Sequence, residues 1–430
     1  MGRHATQRCP STVAGLLGLL VASVACEGGN GDARWTGEQL RGQTVEIAGL
    51  WAGPDQAKLE HALVRFEQET GVSVRYTPTG HDITAELTAR IAEGNAPSVA
   101  ILPSIGILSD LARRGALKPL GEKVQDLVEA NYAPAWRDLG SVEGTLFGVW
   151  VNAVNKSTIW YNAASLRDAG VDPPTTWDEF LTAAKTLAAS GVTPVSVAGG
   201  DGWPLTDWFE NVYLRLAGPE LYDRLASHDI AWTDESVKAA LTLLGELWGN
   251  PSLIVEAAAT TDLATSVTQL LGTPPKGAMA YGGGWAAAGT KQGGELGLFG
   301  FPSIQETQNV VVGNGDVAVR LADDAPAVAL MEFLASPKAG DGLAGLGGFL
   351  SPNRNVRLNF YPDEASYESA RALVEADAFR FDLSDLQPVE FGGTPGQGMW
   401  RIFQDFLVDP SDVDGTARRL EAAAARAFDR

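Results

Sequence analysis

The stretch TVEIAGLWAGPDQAKLEHALVRFEQETGVSVRY, residues 44–76, decides the fold class. It opens with a short apolar strand pattern, after which Pro54 suits the first turn of a helix. Gly71 can end that helix, and VSVRY then alternates as a second strand. Four apolar residues lie on one face of the helix: Leu59, Ala62, Leu63 and Phe66. A strand, a helix and a strand in succession predict an α/β unit with a parallel sheet.

The same order continues outward from this stretch. Asp82 can cap a second helix, SVAIL at 98–102 predicts a strand, and another helix pattern follows. In FGVWVNAVNKSTIWYN, residues 147–162, two strand patterns pass without a helix between them, and NVVVGNGDVAVR, residues 309–320, predicts two more strands. Further helices are predicted over about 177–190, 204–216, 235–248, 262–271, 325–335, 364–375, 397–408 and 415–428. We therefore expect two α/β lobes with more than one strand crossing between them, and a ligand cleft where they meet.

Composition argues against several classes of protein. The chain has 430 residues, 45% of them hydrophobic, which is enough for a large core. A formal net charge of -21 argues against binding of double-stranded nucleic acid, which requires clustered Lys and Arg. The cysteines, Cys9 and Cys26, lie outside the body of the chain, and the four histidines are scattered without ligand spacing. We expect neither a metal centre nor a cofactor.

The N-terminus has the pattern of a secretory signal peptide over residues 1–25. Basic residues precede an apolar run, Val13–Ala25, that is too short to span a bilayer. Cys26 follows small residues and resembles the lipidated cysteine of bacterial lipoproteins, although Ser23 stands where those proteins usually have Leu. Residues 26–40 are rich in glycine and polar side chains, as in a flexible tether. We expect a lipid anchor at the outer face of the cell membrane, with cleavage and no lipidation as the alternative.

Residues 154–191 carry a resemblance to a known family. Tyr161-Asn162, Ala169-Gly170 and the block PPTTWDE at 173–179 together resemble the carbohydrate-binding components of bacterial ABC importers, as in the maltose-binding-protein-like group. Four other stretches fall in the family's order: FEQETGVSVRY, APSVAILPSIGILSDLARRGALKPL, GAMAYGGGW and GGFLSPNRNV. Ser98 departs from the Asp that the family commonly has after Pro.

The resemblance implies a two-lobed, type II periplasmic-binding-protein-like fold, with mixed β-sheets flanked by helices and hinge crossovers between the lobes. Residues 41–150 plus about 275–325 would form the first lobe, and about 151–274 plus 326–430 the second. The implied protein is a monomer without enzymatic activity. It would capture a mono- or oligosaccharide by closure of its hinge and deliver it to the permease subunits of an importer.

A sugar offers apolar C–H faces and a rim of hydroxyl groups, which aromatic and carboxylate or amide side chains recognise. Trp51 follows the first strand, and GGDGWPLTDWFENVYL, residues 199–214, offers Trp203 and Asp207 where a helix begins. The candidate ligand-binding residues are Trp51, Asp55, His81, Ser104, Asn152, Trp203, Asp207, Gly284, Trp285, Asp316 and Arg354. Gly284 and Trp285 enter chiefly through the resemblance.

Several candidates have a structural alternative. Trp51 can pack beneath its own loop, Asp55 suits the first turn of a helix, and Asp316 suits a turn. Arg354 can form a salt link between lobes instead of donating to hydroxyl groups. Trp208, one residue after Asp207, is predicted to lie in the core.

Two other functions remain open. A secreted glycosidase would need two carboxylates across a scissile bond, and Asp201 with Asp207 or Asp207 with Glu210 are the available pairs. The last pair lies at i and i+3 on one helix and so points the same way. A phosphosugar-binding protein would need a basic cleft, for which Arg320 and Arg354 are the candidates. A formal dinucleotide fingerprint, Gly313-x-Gly315-x-x-Ala318, is rejected because a strand pattern continues after it.

Overall fold

The opening strand–helix–strand unit forms as predicted in this computed structural model, which describes residues 37–80, 83–283, 296–305 and 309–429. The first two long strands pair in parallel, with Val45 opposite Val74. The four apolar residues of the helix between them are buried. Gly71 ends that helix with a left-handed φ of 73°, a conformation that glycine adopts without steric penalty.

The described helices agree with most of the predicted ones. None of the described helices is long and apolar enough to cross a membrane. Short 3-10 turns lie at Ala258–Thr260 and Leu358–Phe360. The α-helices are α1 (Gly37–Leu40), α2 (Pro54–Thr70), α3 (Ile83–Ala92), α4 (Ile105–Arg113), α5 (Glu122–Asn131), α6 (Pro134–Leu139), α7 (Ala163–Asp168), α8 (Trp177–Ala189), α9 (Trp203–Ala226), α10 (Glu235–Trp248), α11 (Leu263–Thr268), α12 (Ala325–Leu334), α13 (Pro337–Ala344), α14 (Glu364–Glu375), α15 (Val389–Gly392), α16 (Gly398–Val408) and α17 (Val413–Phe428).

The strands form two main sheets and one small ladder. They are β1 (Thr44–Gly49), β2 (Ser73–Pro78), β3 (Val99–Leu102), β4 (Ser141–Val142), β5 (Thr145–Leu146), β6 (Gly148–Asn155), β7 (Thr158–Asn162), β8 (Val195–Ser196), β9 (Met279–Tyr281), β10 (Leu296–Gly300), β11 (Val310–Arg320) and β12 (Ala378–Phe381). The first sheet has the order β12-β11-β3-β1-β2, with β6 also on β11, and the second has the order β10-β7-β9-β8. Both sheets contain parallel and antiparallel pairs, so both are mixed.

β11 corrects one prediction, because residues 310–320 form a single strand instead of two. Its first part pairs in parallel with β12, and its later part pairs in antiparallel fashion with β6 and then β3. Gly313 and Gly315 allow the close approach of β6, since a Cβ at either position would collide with a carbonyl oxygen of that strand. The strand continues through Ala318, which agrees with rejection of the dinucleotide fingerprint.

Each sheet has its own hydrophobic core. The first core joins the first sheet to α2–α6 and α12–α14, and one of its contacts sets Phe66 and Phe333 with ring centroids 5.5 Å apart. The second core joins the second sheet to α7–α10 and α15–α17. We call the two bodies the first lobe and the second lobe.

The lobes divide the chain differently from the expected boundaries. Residues 279–281 and 296–300, expected in the first lobe, form β9 and β10 of the second sheet. Residues 325–344 and 364–375, expected in the second lobe, form helices whose apolar faces pack into the first core. The sequence patterns identify these elements but not the sheet on which their apolar faces pack.

Three segments cross between the lobes. β6 belongs to the first sheet, and β7, three residues later, belongs to the second. β10 lies in the second sheet and leads to β11, whose Val312 packs in the second core and whose Val317 packs in the first. β12 ends at Phe381 in the first core, and Leu383 already lies in the second. Two-lobed proteins close by changes in a few such hinge residues.

Candidate ligand-binding cleft

A cleft of about 360 Å³ lies beside the crossing segments. Its walls come from the end of β3, from β6 and β11, from the residues after β12, and from the starts of α9 and α16. The lining residues are Pro103, Val154, Lys156, Trp203, Asn314, Gly315, Asp316, Ser384, Asp385 and Trp400. Both lobes therefore contribute to one concave site, the usual place for a small ligand.

Two tryptophans supply the aromatic part of the cleft. Trp203 begins α9, and Trp400 lies in the first turn of α16. Gly202 permits their proximity, because its φ is 81° and a Cβ there would lie 2.9 Å from the Cβ of Trp400. Gln404 links the same elements by donating to the carbonyl oxygen of Gly199 at 2.9 Å. Both tryptophans are only partly buried, so each can offer ring surface to a ligand.

A buried charged cluster lies beneath the aromatic residues. The Nζ atom of Lys156 lies 5.2 Å from the ring centroid of Trp203 and 3.3 Å from Oδ1 of Asp207, and it also pairs with Asp382. The hydroxyl of Tyr281 donates to Asp207 at 2.6 Å. Burial acts to lower the pKa of Lys156, but Asp207 and Asp382 together raise it well above its ordinary value. The ammonium therefore remains charged.

Glu210 brings a third carboxylate to this cluster. It accepts a hydrogen bond from the backbone N–H of Leu383 at 2.8 Å, and burial raises its pKa well above the ordinary value. Burial likewise raises the pKa of Asp207 to about 8. Burial acts upward on Asp382 too, but Lys156 outweighs it and lowers that pKa to about 2. One oxygen from each of the three carboxylates lies within 4.8 Å of the others, a spacing that a metal ion could bridge. The ammonium of Lys156, however, already pairs with Asp207 and Asp382.

Asp316 faces the cleft from β11 and is held by two neighbours. Asn152 donates to it from Nδ2 at 2.9 Å, while Oδ1 of Asn152 accepts from the backbone N–H of Leu350 at 3.1 Å. Trp51 packs edge-on against Phe349, with ring centroids 4.8 Å apart, and its side chain is near enough to act on the pKa of Asp316. Burial raises the pKa of Asp316 to about 6, and Asn152 and Trp51 act in the opposite direction.

Asp385 is the second carboxylate on the cleft wall. It is solvent-accessible at the cleft, and Asn314 donates to it from Nδ2 at 3.4 Å. Desolvation by the surrounding walls raises its pKa to about 6, and the charge of Asp382 adds to that rise. Since the charge of Lys156 is balanced beneath the cleft, the described lining is acidic and rich in hydrogen-bond acceptors.

The structure brings four of the candidate residues together. Trp203 and Asp316 line the cleft, Asn152 donates a hydrogen bond to Asp316, and Trp51 acts on the pKa of Asp316. Asp55 lies exposed in the first turn of α2, 3.5 Å from Lys58. Its charge raises the pKa of Asp316. Asp55 itself has the structural role given as its alternative, that of an acidic residue in the first turn of a helix.

Three other candidates have structural partners outside the cleft. Ser104 caps α4, its hydroxyl accepting from the backbone N–H of Ile107 at 3.3 Å. Asp207 is fully buried in the charged cluster, so it lies under the site and not on its surface. Arg354 is exposed and donates to the carbonyl oxygen of Glu129 at 3.3 Å, at the end of α5. His81, Gly284, Trp285 and Cys26 lie outside the described residues.

Sequence reasoning missed eight of the ten lining residues, among them Lys156, Asn314, Asp385 and Trp400. A lysine between two apolar strand patterns was the available signal for Lys156, because a buried charge requires a partner. Trp400 follows the glycine-rich run GGTPGQG, much as Trp203 follows GGDG. No local pattern indicates that these two loops meet.

The chain is similar to extracellular solute-binding proteins over most of its length. The family model described as "Bacterial extracellular solute-binding protein" matches residues 51–341. The osmoprotective compounds-binding protein GgtB of Synechocystis sp. is 34% identical over 92% of this chain and 94% of its own length. The alpha-glucosides-binding periplasmic protein AglE of Rhizobium meliloti is 31% identical over 89% of this chain and 87% of its own.

A solved structure has the same fold at lower identity. The bacterial solute receptor AcbH superimposes with a TM-score of 0.78 and 17% identity, over 92% of this chain and all of that one. The type II two-lobed fold expected from the resemblance is therefore confirmed.

Proposed function

The chain belongs to the family of bacterial extracellular solute-binding proteins, and we propose that it captures a mono- or oligosaccharide for delivery to an ABC importer. One observation carries the proposal: Trp203 and Trp400 share a cleft with the carboxylates of Asp316 and Asp385. Aromatic faces suit the apolar C–H surfaces of a sugar, and carboxylates accept hydrogen bonds from its hydroxyl groups.

The names of the relatives support a small glycoside as the ligand. AglE is named for alpha-glucosides and GgtB for osmoprotective compounds, and both align over nearly the whole chain. The cleft volume of about 360 Å³ lies toward the low end of ligand pockets, which span roughly 300–1,000 Å³. We therefore favour a ligand of one or two sugar units over a long oligosaccharide.

The phosphosugar alternative loses its two candidate arginines. Arg320 is buried and pairs with Asp323 at 2.7 Å, and Arg354 donates to the end of α5. In the described part of the cleft the charges of Asp316 and Asp385 would repel a phosphate group. A neutral ligand fits this lining better than an anionic one.

One observation favours a glycosidase: two carboxylates, those of Asp316 and Asp385, line the cleft. Its earlier candidate pairs have structural roles: Asp201 accepts from the backbone N–H of Leu263 at 2.8 Å, while Asp207 and Glu210 are buried. Membership of a solute-binding family favours capture without catalysis. Incubation of the protein with aryl glycosides and disaccharides distinguishes the two, since sustained product release requires an enzyme.

The proposed location follows from residues outside the described part of the chain. A signal peptide over 1–25 and a lipid on Cys26 would keep the monomer beside its permease. Mass spectrometry of the membrane fraction tests the anchor, because lipidation adds acyl mass that Cys26→Ala cannot carry.

Thermal unfolding of residues 27–430 against a solute panel tests the proposed function. The panel contains glucosides, galactose, raffinose, sugar phosphates, amino acids and polyamines. A ligand that binds only the native state raises the midpoint by an amount set by its concentration over its Kd. We expect a rise with a neutral sugar that Trp203→Ala diminishes. A rise with charged solutes alone would contradict sugar capture.

A further inference from the structure

Arg215 is a buried cation with neutral partners. It lies in α9 with 4% of its surface exposed. Its Nη1 donates to the backbone and side-chain oxygens of Asn211 at 3.2 and 3.0 Å, and its Nη2 donates to the carbonyl oxygen of Val310 at 2.9 Å. The guanidinium carbon lies 5.0 Å from the ring centroid of Phe301. No described carboxylate forms an ion pair with it.

This arrangement is unusual on energetic grounds. Arginine is the residue best suited to buried ion pairs, and a buried charge is normally paired. Burial lowers the pKa of Arg215 to about 9, with no opposite charge among its causes. A guanidinium has five N–H donors, and its described hydrogen bonds number three, so donors remain for another acceptor.

A second concave site exposes this cation. The rear pocket, as we call it, has a volume of about 650 Å³ and shares no lining residue with the cleft. Its lining includes Arg215, Ser157, Gly300, Phe301, Arg371 and Glu375. Arg371 and Glu375 belong to α14 of the first lobe, and Gly300 and Phe301 follow the second sheet, so the pocket spans both lobes.

Arg215 is the cation of the rear pocket that has no described carboxylate partner. Arg371 contributes a second guanidinium, but it pairs with Glu375 at 2.9 Å and also with Glu368, which is not a lining residue. Arg215 then leaves an excess positive charge among the described lining residues. Guanidinium groups match the geometry of sulfate, phosphate and carboxylate oxygens, and the low dielectric of a buried site strengthens that attraction.

We propose that the rear pocket is a binding site for a small oxyanion, with Arg215 as its principal ligand and Arg371 at its rim. This site is separate from the proposed sugar cleft and requires no sugar for its test. Because its walls come from both lobes, an anion there would contact both.

Thermal unfolding of residues 27–430 in sulfate, against chloride at equal ionic strength, tests the proposal. Specific binding raises the midpoint and saturates at low sulfate concentration, whereas the general exclusion of sulfate from protein surfaces does not saturate. We expect the saturable rise in the wild-type chain and in Arg137→Met, which removes an exposed arginine of α6. The rise should be lost in Arg215→Met. Its absence from the wild-type chain, or its persistence in Arg215→Met, would overturn the proposal.

A matched pair of variants covers the case in which Arg215→Met does not fold. Gly300 lines the rear pocket next to Phe301, and a Cβ there meets nothing within 4 Å. Gly300→Glu supplies an internal carboxylate and should abolish the saturable sulfate response while raising the midpoint in chloride. Gly300→Gln has the same shape without the charge and should retain the response. Equal sulfate responses in these two variants would refute the anion site.

Discussion

At the scale of single residues, the two tryptophans of the cleft differ in burial from those of the core. Trp203 and Trp400 are only partly buried, whereas Trp208, five residues after Trp203, is 1% exposed and packs in the second core. Lys156 lies 5.2 Å from the ring centroid of Trp203 and so fixes one face of that indole. Trp203 is also a lining residue of the cleft, where a ligand can reach it.

Replacement of either cleft tryptophan tests this role. We expect Trp203→Ala and Trp400→Ala each to weaken sugar binding by about 1–3 kcal/mol, the scale of one large apolar contact removed from water. Titration calorimetry with the sugar identified in the panel measures the change. Trp232→Phe, a change in the second core, is the control and should lower the unfolding midpoint without altering Kd. Unchanged affinity in both alanine variants would remove the tryptophans from the site.

Asp316 makes the stability of the ligand-free protein depend on pH. Folding raises its pKa to about 6, so the folded state holds this proton more tightly than the unfolded state does. The group therefore disfavours folding increasingly as pH rises from about 4 to 6. Asp316→Asn removes this ionisable group and with it the loss of stability. The free energy of unfolding of the variant minus that of the wild type should therefore be larger at pH 7 than at pH 4. Urea unfolding at both pH values measures it, and a difference independent of pH would contradict the raised pKa.

Sequence reasoning reached part of the site at this scale. Trp203 could be predicted because it begins a helix after a glycine-rich loop. Asp316 was predicted as the start of a strand, whereas it lies within β11 and still lines the cleft. Lys156 has a local signal, but its partners Asp207 and Asp382 are 51 and 226 residues away in sequence, so the cluster could not be predicted. The sequence alone does not show that these residues are in contact.

At the scale of elements, local signals predicted helices well. In α8, the capping box is present as expected: Thr176 accepts from the backbone N–H of Glu179 at 3.2 Å, and Glu179 accepts in return. Helix α9 is longer than predicted because the chain continues in helical form past a kink. The kink lies at Gly218, which has a φ of 82° and is followed by Pro219. Short strands such as β8 and β12 depend on their sheet partners and have weaker local patterns.

The cap of α8 can be removed with a matched control on the same helix. We expect Thr176→Ala to lower the free energy of unfolding by about 1 kcal/mol, because the N–H of Glu179 loses its partner. Thr186→Ala removes a hydroxyl that bonds only the preceding turn, and its effect should be near zero. Urea unfolding of the two variants measures the contrast. Equal effects would mean that the cap contributes nothing.

The first crossing segment is fixed by its buried lysine. Lys156→Met leaves Asp207 and Asp382 without their cation, and we expect a loss of about 3–5 kcal/mol in the free energy of unfolding. Lys123→Met breaks a pair with Glu332 whose lysine is 63% exposed, and should lose about 0–1 kcal/mol. Denaturant unfolding at pH 7 measures both. Similar losses in the two variants would show that burial adds nothing to the Lys156 pair.

At the scale of the whole molecule, each lobe is assembled from separate parts of the chain. The two-lobed fold was predictable from the order of strands and helices and from the PPTTWDE block. The allocation of 279–281, 296–300, 326–344 and 364–375 was not, because apolar helices and strands of similar pattern fit either core. The charged cluster and both Trp-bearing loops depend on that allocation.

The placement of β11 predicts that a fragment fails to fold. β6 pairs only with β11 among the described strands, and β11 also joins β12 to β3. A chain that ends at residue 305 lacks this strand, and we expect no cooperative unfolding transition in it. Residues 27–430 provide the comparison, and circular dichroism during heating measures both. A sharp transition in the fragment would contradict a central role for β11.

The late position of β11 also bears on the time before folding. A ribosome that has made the first 300 residues has produced β6, eight residues of mostly apolar strand, but not the strand with which it pairs. The nascent chain therefore lacks a complete β11 for about three quarters of its synthesis, and contacts so distant in sequence form slowly. If residues 1–25 direct export, as their pattern predicts, this delay would keep the polypeptide unfolded, and so able to pass through a secretion channel, until most of it has been translated.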